Sequence, residues 1–240
     1  MISAGWYGKV PGTGDFVARR LPSAFSEAWD RWLQAAIAGS RDRLGGRWRD
    51  TFLSMPIWRF VLSPGMLTQN AWAGIMVPSV DAVGRYFPLA VASALPSASL
   101  DVVGTLLAAE SWFDDIEEIA LSAIAPATDS AAVDAAILQK PFRTAWLRYP
   151  EGREDTVPIR GAKPQMLWVP LGARNGQPPA GEVRALAERL PEPCGAWLAE
   201  ESEMFGRCLL LSEALPPAEQ YCAMMDGRWI ERGWSRRLAP

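Results

Sequence analysis

The chain has 240 residues, 49% of them hydrophobic and 21% charged, which gives enough apolar mass for a sizeable core in one large domain or two small ones. With 24 basic against 27 acidic side chains and a formal charge of -3, it lacks the basic surface that sequence-independent binding to nucleic acid or anionic lipid requires. Histidine is absent, which removes Ser-His-Asp and Cys-His catalysis, the usual imidazole base and the commonest ligand of zinc, copper and non-haem iron.

The opening residues are apolar and β-prone up to Val10 and then break into Pro11-Gly12-Thr13-Gly14-Asp15, a strand followed by a structured loop. From Ser23, the spacing of Phe25, Trp29, Trp32, Leu33, Ala36 and Ile37 puts one apolar stripe on a helix that ends before Gly45-Gly46. Pro22 precedes it, and Ser23 stands in an N-cap position. Three runs of β-formers follow, at Pro56 to Leu62, Ala71 to Val77 and Tyr86 to Ala92, and read as neighbouring antiparallel strands.

Leu100 to Ile124 has helical periodicity, with Gly104 weakening its start, and Ser130 to Lys140 gives a short helix. From Pro141 to Pro179 the chain is proline-rich, with one strand expected at Gln165 to Leu171, so a boundary is placed in this part. Beyond it the sequence predicts helices at Gly181 to Leu190 and Cys194 to Glu201, a strand at Arg207 to Ser212, a helix at Ala218 to Met225, and a terminal segment rich in Arg. Consecutive strands between helices favour an α+β fold, a mixed and largely antiparallel sheet flanked by helices. Two regions, 1–125 and 126–240, are expected to pack as one unit.

The twelve tryptophans read as large core residues, with an aromatic recognition surface as the alternative. Cys194, Cys208 and Cys222 are odd in number and far apart in sequence, so they read as reduced core residues. No leader or membrane span is recognisable, and a cytoplasmic protein is expected.

The segments GWYGKVPGTGDFVARRLP (5–22), WDRWLQ (29–34), PIWRFVLSPG (56–65) and WAGIMVPSVDAVGRYFPLAV (72–91) closely resemble the TagF/ImpM family of type VI secretion proteins. The stretch LLLSEALPPAEQYCAMMDGRW (209–229) resembles that family's end. The resemblance implies a compact fold with a longin-like N-terminal part, and a post-translational negative regulator of assembly. It also implies a partner, the forkhead-associated scaffold of the threonine-phosphorylation pathway. Some members of the family are fused to a PP2C-type phosphatase, but the Asp-rich motifs of that chemistry are not found in these residues.

Few residues offer chemistry. The glycines of Gly8 to Gly14 do not complete a P-loop or a dinucleotide fingerprint, so they read as turn residues rather than a phosphate cradle. Asp15 stands four and five residues before Arg19 and Arg20, as a local ion pair or, with Phe16, as a partner-facing loop. In Pro78 to Arg85, Ser79 has no base. Asp81 is expected to accept backbone bonds and Arg85 to pair with a carboxylate, or Arg85 to reach an acidic or phosphorylated partner.

Asp114, Asp115, Glu117 and Glu118 read as a solvated helix face, with a hard-cation site as the alternative. Arg228, Arg232, Arg236 and Arg237 read as a frayed tail, or one that docks on an acidic surface. The expected function is that of a non-enzymatic binding protein without cofactor or metal, its contact surface including Asp15, Phe16, Arg19, Asp81 and Arg85. A structural component of the secretion apparatus and a carboxylate-dependent hydrolase built on Asp15 and Asp81 are the alternatives.

Overall fold

In a computed structural model of the chain, which describes residues 1–96, 98–126, 128–150, 165–172 and 190–236, the extended runs pair into one nine-stranded sheet. The strands are β1 (Gly5–Gly8), β2 (Val17–Arg19), β3 (Trp58–Leu62), β4 (Ala71–Val77), β5 (Leu89–Leu95), β6 (Met166–Pro170), β7 (Gly195–Ala199), β8 (Cys208–Ser212) and β9 (Ser235–Arg236). Their order is β2-β1-β5-β4-β3-β7-β8-β6-β9, and every pairing is antiparallel except that of β6 with β9. The fold is therefore α+β, as the order of elements predicts, and β3 and β7 join residues on either side of the 125/126 division in one sheet.

Alternation along each strand sends side chains to two different cores. Val61, Ile75, Ala196 and Leu211 pack under α3 (Val102–Ala108), α4 (Glu110–Ala123) and α5 (Ser130–Leu138). Phe60, Trp72, Trp197 and Leu210 pack under α1 (Ser23–Leu44), α2 (Trp48–Leu53) and a last helix, α6 (Ala218–Asp226). With both faces covered, the central strands read as continuous apolar runs rather than as alternation. Nine tryptophans are buried and the other three are half-buried, so the aromatic recognition surface does not exist. Several indole N–H groups find acceptors inside the fold, Trp58 on the Met224 carbonyl (3.1 Å), Trp112 on that of Lys140 (2.9 Å) and Trp197 on Ser212 Oγ (3.2 Å), although that of Trp29 finds none among the described residues. The three cysteines are buried and free.

Several expectations need correction. Cys194 to Glu201 is not a helix: Gly195–Ala199 is a strand, buried on both faces between β3 and β8. A five-residue apolar run has no period that tells strand from buried helix, and its place in the sheet decides. The strand expected at Tyr86 begins only at Leu89 and runs to Leu95, because Pro88 has no N–H to give a ladder and Tyr86 makes an isolated bridge to Val80. The long helix expected from Leu100 breaks at Ala109 (φ -95°, ψ 16°), which lets α3 pack on β3 and β7 while α4 packs on β4 and β5.

Ser23 caps nothing. Pro22 is the cap residue and no side chain bonds there. The C-terminal segment is not frayed through Arg236: Trp229 and Trp234 are buried, Arg232 pairs with Asp226 at 2.9 Å, and β9 adds to β6. The helix expected at Gly181 to Leu190, and Arg237, lie outside the described residues.

Asp101 does cap, accepting from the Gly104 N–H at 2.8 Å at the start of α3. Asp101→Ala is therefore expected to lower stability by about 1 kcal/mol in urea unfolding, the usual cost of a lost N-cap.

Candidate functional site

At one end of the sheet two loops interlock. The loop after β1 and the loop after β4 are joined by the Ala82 N–H on the Thr13 carbonyl (2.9 Å), by Ser79 Oγ on the Lys9 carbonyl (2.6 Å) and by Arg85 Nη2 on the Gly14 carbonyl. Gly8, at φ 144°, passes so close to the Pro88 carbonyl that a Cβ has no room, which is why glycine ends β1 here.

Asp81 lies at the centre, its side chain without exposure. Oδ1 accepts from the backbone N–H groups of Val83 (3.1 Å) and Arg85 (2.8 Å), and Oδ2 from Lys9 Nζ (3.0 Å) and Arg85 Nε (2.7 Å). Burial by itself pushes this carboxyl up. The Arg85 N–H, the Lys9 and Arg85 side chains and the Val83 N–H outweigh it and hold the group well below the usual carboxylate range. The expected turn, in which Asp81 accepts backbone bonds and Arg85 pairs with a carboxylate, is what the structure contains. Lys9 is the member that sequence reasoning missed. It stands just past the end of β1, in the other loop, and only the interlocking of the two loops reveals it.

Phe16 is exposed at its edge yet held, stacked on Tyr7 at 5.4 Å, edge-on to Phe87 at 4.9 Å and under Lys9 Nζ at 5.0 Å. Tyr7 in turn donates to Asp30 Oδ1 (3.3 Å), and burial, then the Asp30 charge, raise its phenol. Asp15 is exposed and makes no ion pair with Arg19 or Arg20 among the described residues. It accepts from its neighbour Phe16 N–H at 2.8 Å, while Arg19 bonds the Ala18 carbonyl and Arg20 pairs with Asp134 at 2.6 Å. Asp134 also accepts from Trp6 Nε1 at 2.7 Å. Burial pushes its carboxyl up, but Arg20 and Trp6 outweigh that and leave it lowered. Arg20, at φ 58°, is the one non-glycine residue with positive φ among the described residues, and its three bonds to Ala4 and Asp134 hold it there. Of the five residues read from the sequence, Asp15, Phe16, Asp81 and Arg85 thus share one end of the sheet, with Asp81 beneath the surface, whereas Arg19 stands at the far end of β2, opposite Trp6 and beside Asp134.

Beside these loops an open groove of about 380 Å³ runs between α2 and α4, floored by Met55, Ile57 and Val77 and walled by Pro11, Pro78 and Val80. Leu53 and Leu121 stand at its rim, 45% and 51% exposed, and Val83 on the adjoining loop is 66% exposed. These residues are scattered over four segments, so no local pattern marks the groove.

The acidic run on α4 is a solvated face only in part: Glu118 is exposed, but the other three carboxylates are held by cations. Asp114 and Glu117 grip Arg59, a β3 guanidinium only 2% exposed, at 2.8 and 2.6 Å respectively, and Asp115 pairs with Lys140 at 2.7 Å. Burial lowers the Arg59 pKa, but Glu117 and then Asp114 carry it above its ordinary value. Among the described residues no three His, Cys, Asp or Glu side chains converge as a metal-ligand set, and no helix is long and apolar enough to cross a membrane.

A largely antiparallel sheet with helices on both faces, closed at one end by two interlocked loops beside an apolar groove, defines this chain as a mixed α/β module. Residues 5–139 match the family model of the TagF N-terminal domain, type VI secretion system-associated. The crystal structure of PA0076 from Pseudomonas aeruginosa PAO1 superposes with a TM-score of 0.73 at 34% identity, over 94% of this chain and 95% of that one. The chain belongs to the TagF family and is a type VI secretion-associated protein. No curated protein matches it.

Proposed function

We propose that this chain is a non-enzymatic accessory protein of the type VI secretion system, which restrains assembly of the apparatus by binding another protein in the cytoplasm. The observation that carries this reading is the apolar groove with Leu53, Leu121 and Val83 exposed around it, because contiguous apolar surface on a folded module marks a protein contact. The loops beside it are locked by Asp81, so the groove meets its partner with little conformational entropy to lose. That same carboxylate is occupied by four donors and is poorly placed to act as base or nucleophile. The partner that family membership favours is the forkhead-associated scaffold of the secretion system.

The test pairs deletion with a groove variant. Deletion is expected to raise secretion, and the double substitution Val83→Asp/Leu121→Asp to reproduce the deletion while the purified protein keeps its wild-type melting temperature and loses co-purification of the scaffold at least ~10-fold. Abolished secretion on deletion is the result that would make the chain a structural component of the apparatus. Turnover of a substrate by the purified chain would overturn the non-enzymatic reading.

A further inference from the structure

We propose that the elbow between α1 and α2, which carries the guanidinium groups of Arg41, Arg47 and Arg49, is a docking surface for an acidic, carboxylate-rich segment of a partner protein. This surface goes beyond the groove described above: none of these arginines lines that groove.

The charge is local and against the trend of the chain. In a protein of formal charge -3, Arg41, Arg43, Arg47 and Arg49 fall within one short stretch, with Asp42 and Asp50 as its acidic members. All four arginines are exposed. The C-terminal dipole of α1 accounts for Arg41 and Arg43, which stand in its last turn. It does not account for Arg47 and Arg49, which lie past the helix end.

Single exposed arginines elsewhere, Arg31 and Arg143 among them, face no carboxylate among the described residues; the elbow differs in gathering three such guanidinium groups between positions 41 and 49. Arg20, Arg59, Arg85, Arg207, Arg228 and Arg232 each face a carboxylate within the fold, and Arg43 gives Nη1 to the Gly39 carbonyl. Among the described residues, the guanidinium groups of Arg41, Arg47 and Arg49 meet no protein carboxylate or carbonyl. Their donors face water.

Arg41 is also held in place. Its guanidinium lies 4.3 Å above the Trp48 ring, and that ring is fixed by a bond to Ser40 Oγ (2.7 Å), by stacking on Phe52 (4.9 Å) and by an edge contact with Tyr86 (5.5 Å). A guanidinium set over a ring face in this way can keep its in-plane fork for a carboxylate. A fork ordered before binding loses little entropy on engagement. The choice of partner follows from charge. The overall negative charge opposes approach of a long polyanion such as nucleic acid, whereas a short acidic segment feels mainly the elbow, because exposed charges beyond about 8 Å are screened at physiological ionic strength.

The probe is a fluorescein-labelled deca-glutamate peptide titrated with the full chain and followed by anisotropy at ~50 and ~300 mM salt. Binding is expected at low salt and to weaken at high salt. Arg47→Glu/Arg49→Glu should weaken it at least ~10-fold, while Arg31→Glu/Arg143→Glu, the same charge change at exposed sites outside the elbow, should weaken it less than ~3-fold. If charge reversal lowers the melting temperature, Arg47→Gln/Arg49→Gln replaces it and should still weaken binding several-fold. The Val83→Asp loop variant should bind the peptide as wild type does, so that failure here and failure of the groove remain distinguishable. No binding at low salt, equal loss in both charge-reversed pairs, or tighter binding of a single-stranded DNA decamer would each overturn the proposal.

Discussion

Asp81→Ala is expected to lower the stability of the protein by about 3 kcal/mol, because it leaves the buried ammonium of Lys9 without its anion. Arg85 is half exposed and can turn to water, so Lys9 carries most of the cost. For a chain of this size the melting temperature should fall by roughly 6–12 °C. Asp81→Asn should cost less, since an amide oxygen can still accept from the Val83 and Arg85 N–H groups. The sign of the pH dependence follows from the lowered carboxyl. An aspartate titrates near 3.9 in the unfolded chain and lower here, so its bonds contribute fully above about pH 4 and are lost as pH falls through the folded value. Thermal melts between pH 6 and 2.5 should show wild type losing stability more steeply than Asp81→Asn below pH ~4. Parallel curves would remove Asp81 from the acid response and leave it to other carboxylates such as Asp134.

The second large effect lies where α4 meets Arg59 of β3. Glu117→Ala is expected to cost about 3 kcal/mol, since it takes two of three carboxylate bonds from a guanidinium that is 2% exposed. Arg59→Met should cost less than ~1.5 kcal/mol, because the methionine fills the site with apolar volume. The carboxylates it leaves behind, 46% and 18% exposed, are within reach of water. Urea unfolding of the two variants checks the order, and a larger loss for Arg59→Met would mean that the guanidinium contributes by packing on Phe113 rather than by its charge.

The contrast between these two ion sites shows where sequence reasoning reaches. The Asp81 turn is legible because its chemistry is local: an aspartate, a glycine at Gly84 and an arginine at the i+4 position specify their own bonds. Arg59 within a strand and the acidic run on α4 are far apart in the chain, and nothing local says that a helix will lay its carboxylates over that strand. For the same reason the run looked like a solvated face. The groove is harder still, since Pro11, Leu53, Val80 and Leu121 come from four segments. The elbow arginines are plain in the sequence, but that three of them meet no carboxylate among the described residues, when Arg20, Arg59 and Arg85 each do, depends on where every other acid falls.

By itself, the sequence determined the class of fold, the α1 helix from Ser23 to Leu44, strands β4 and β8, the Asp81 turn and the family, because each rests on periodicity, turn chemistry or ordered motifs within short stretches. Tertiary structure alone decided that Gly195–Ala199 is a central strand, that Lys9 completes the Asp81 cluster and that Arg59 is clasped by α4. The physical reason is the same in each case: a short apolar run or a single charge has no preferred state until the sheet supplies its neighbours, and burial then makes the neighbour's chemistry decisive.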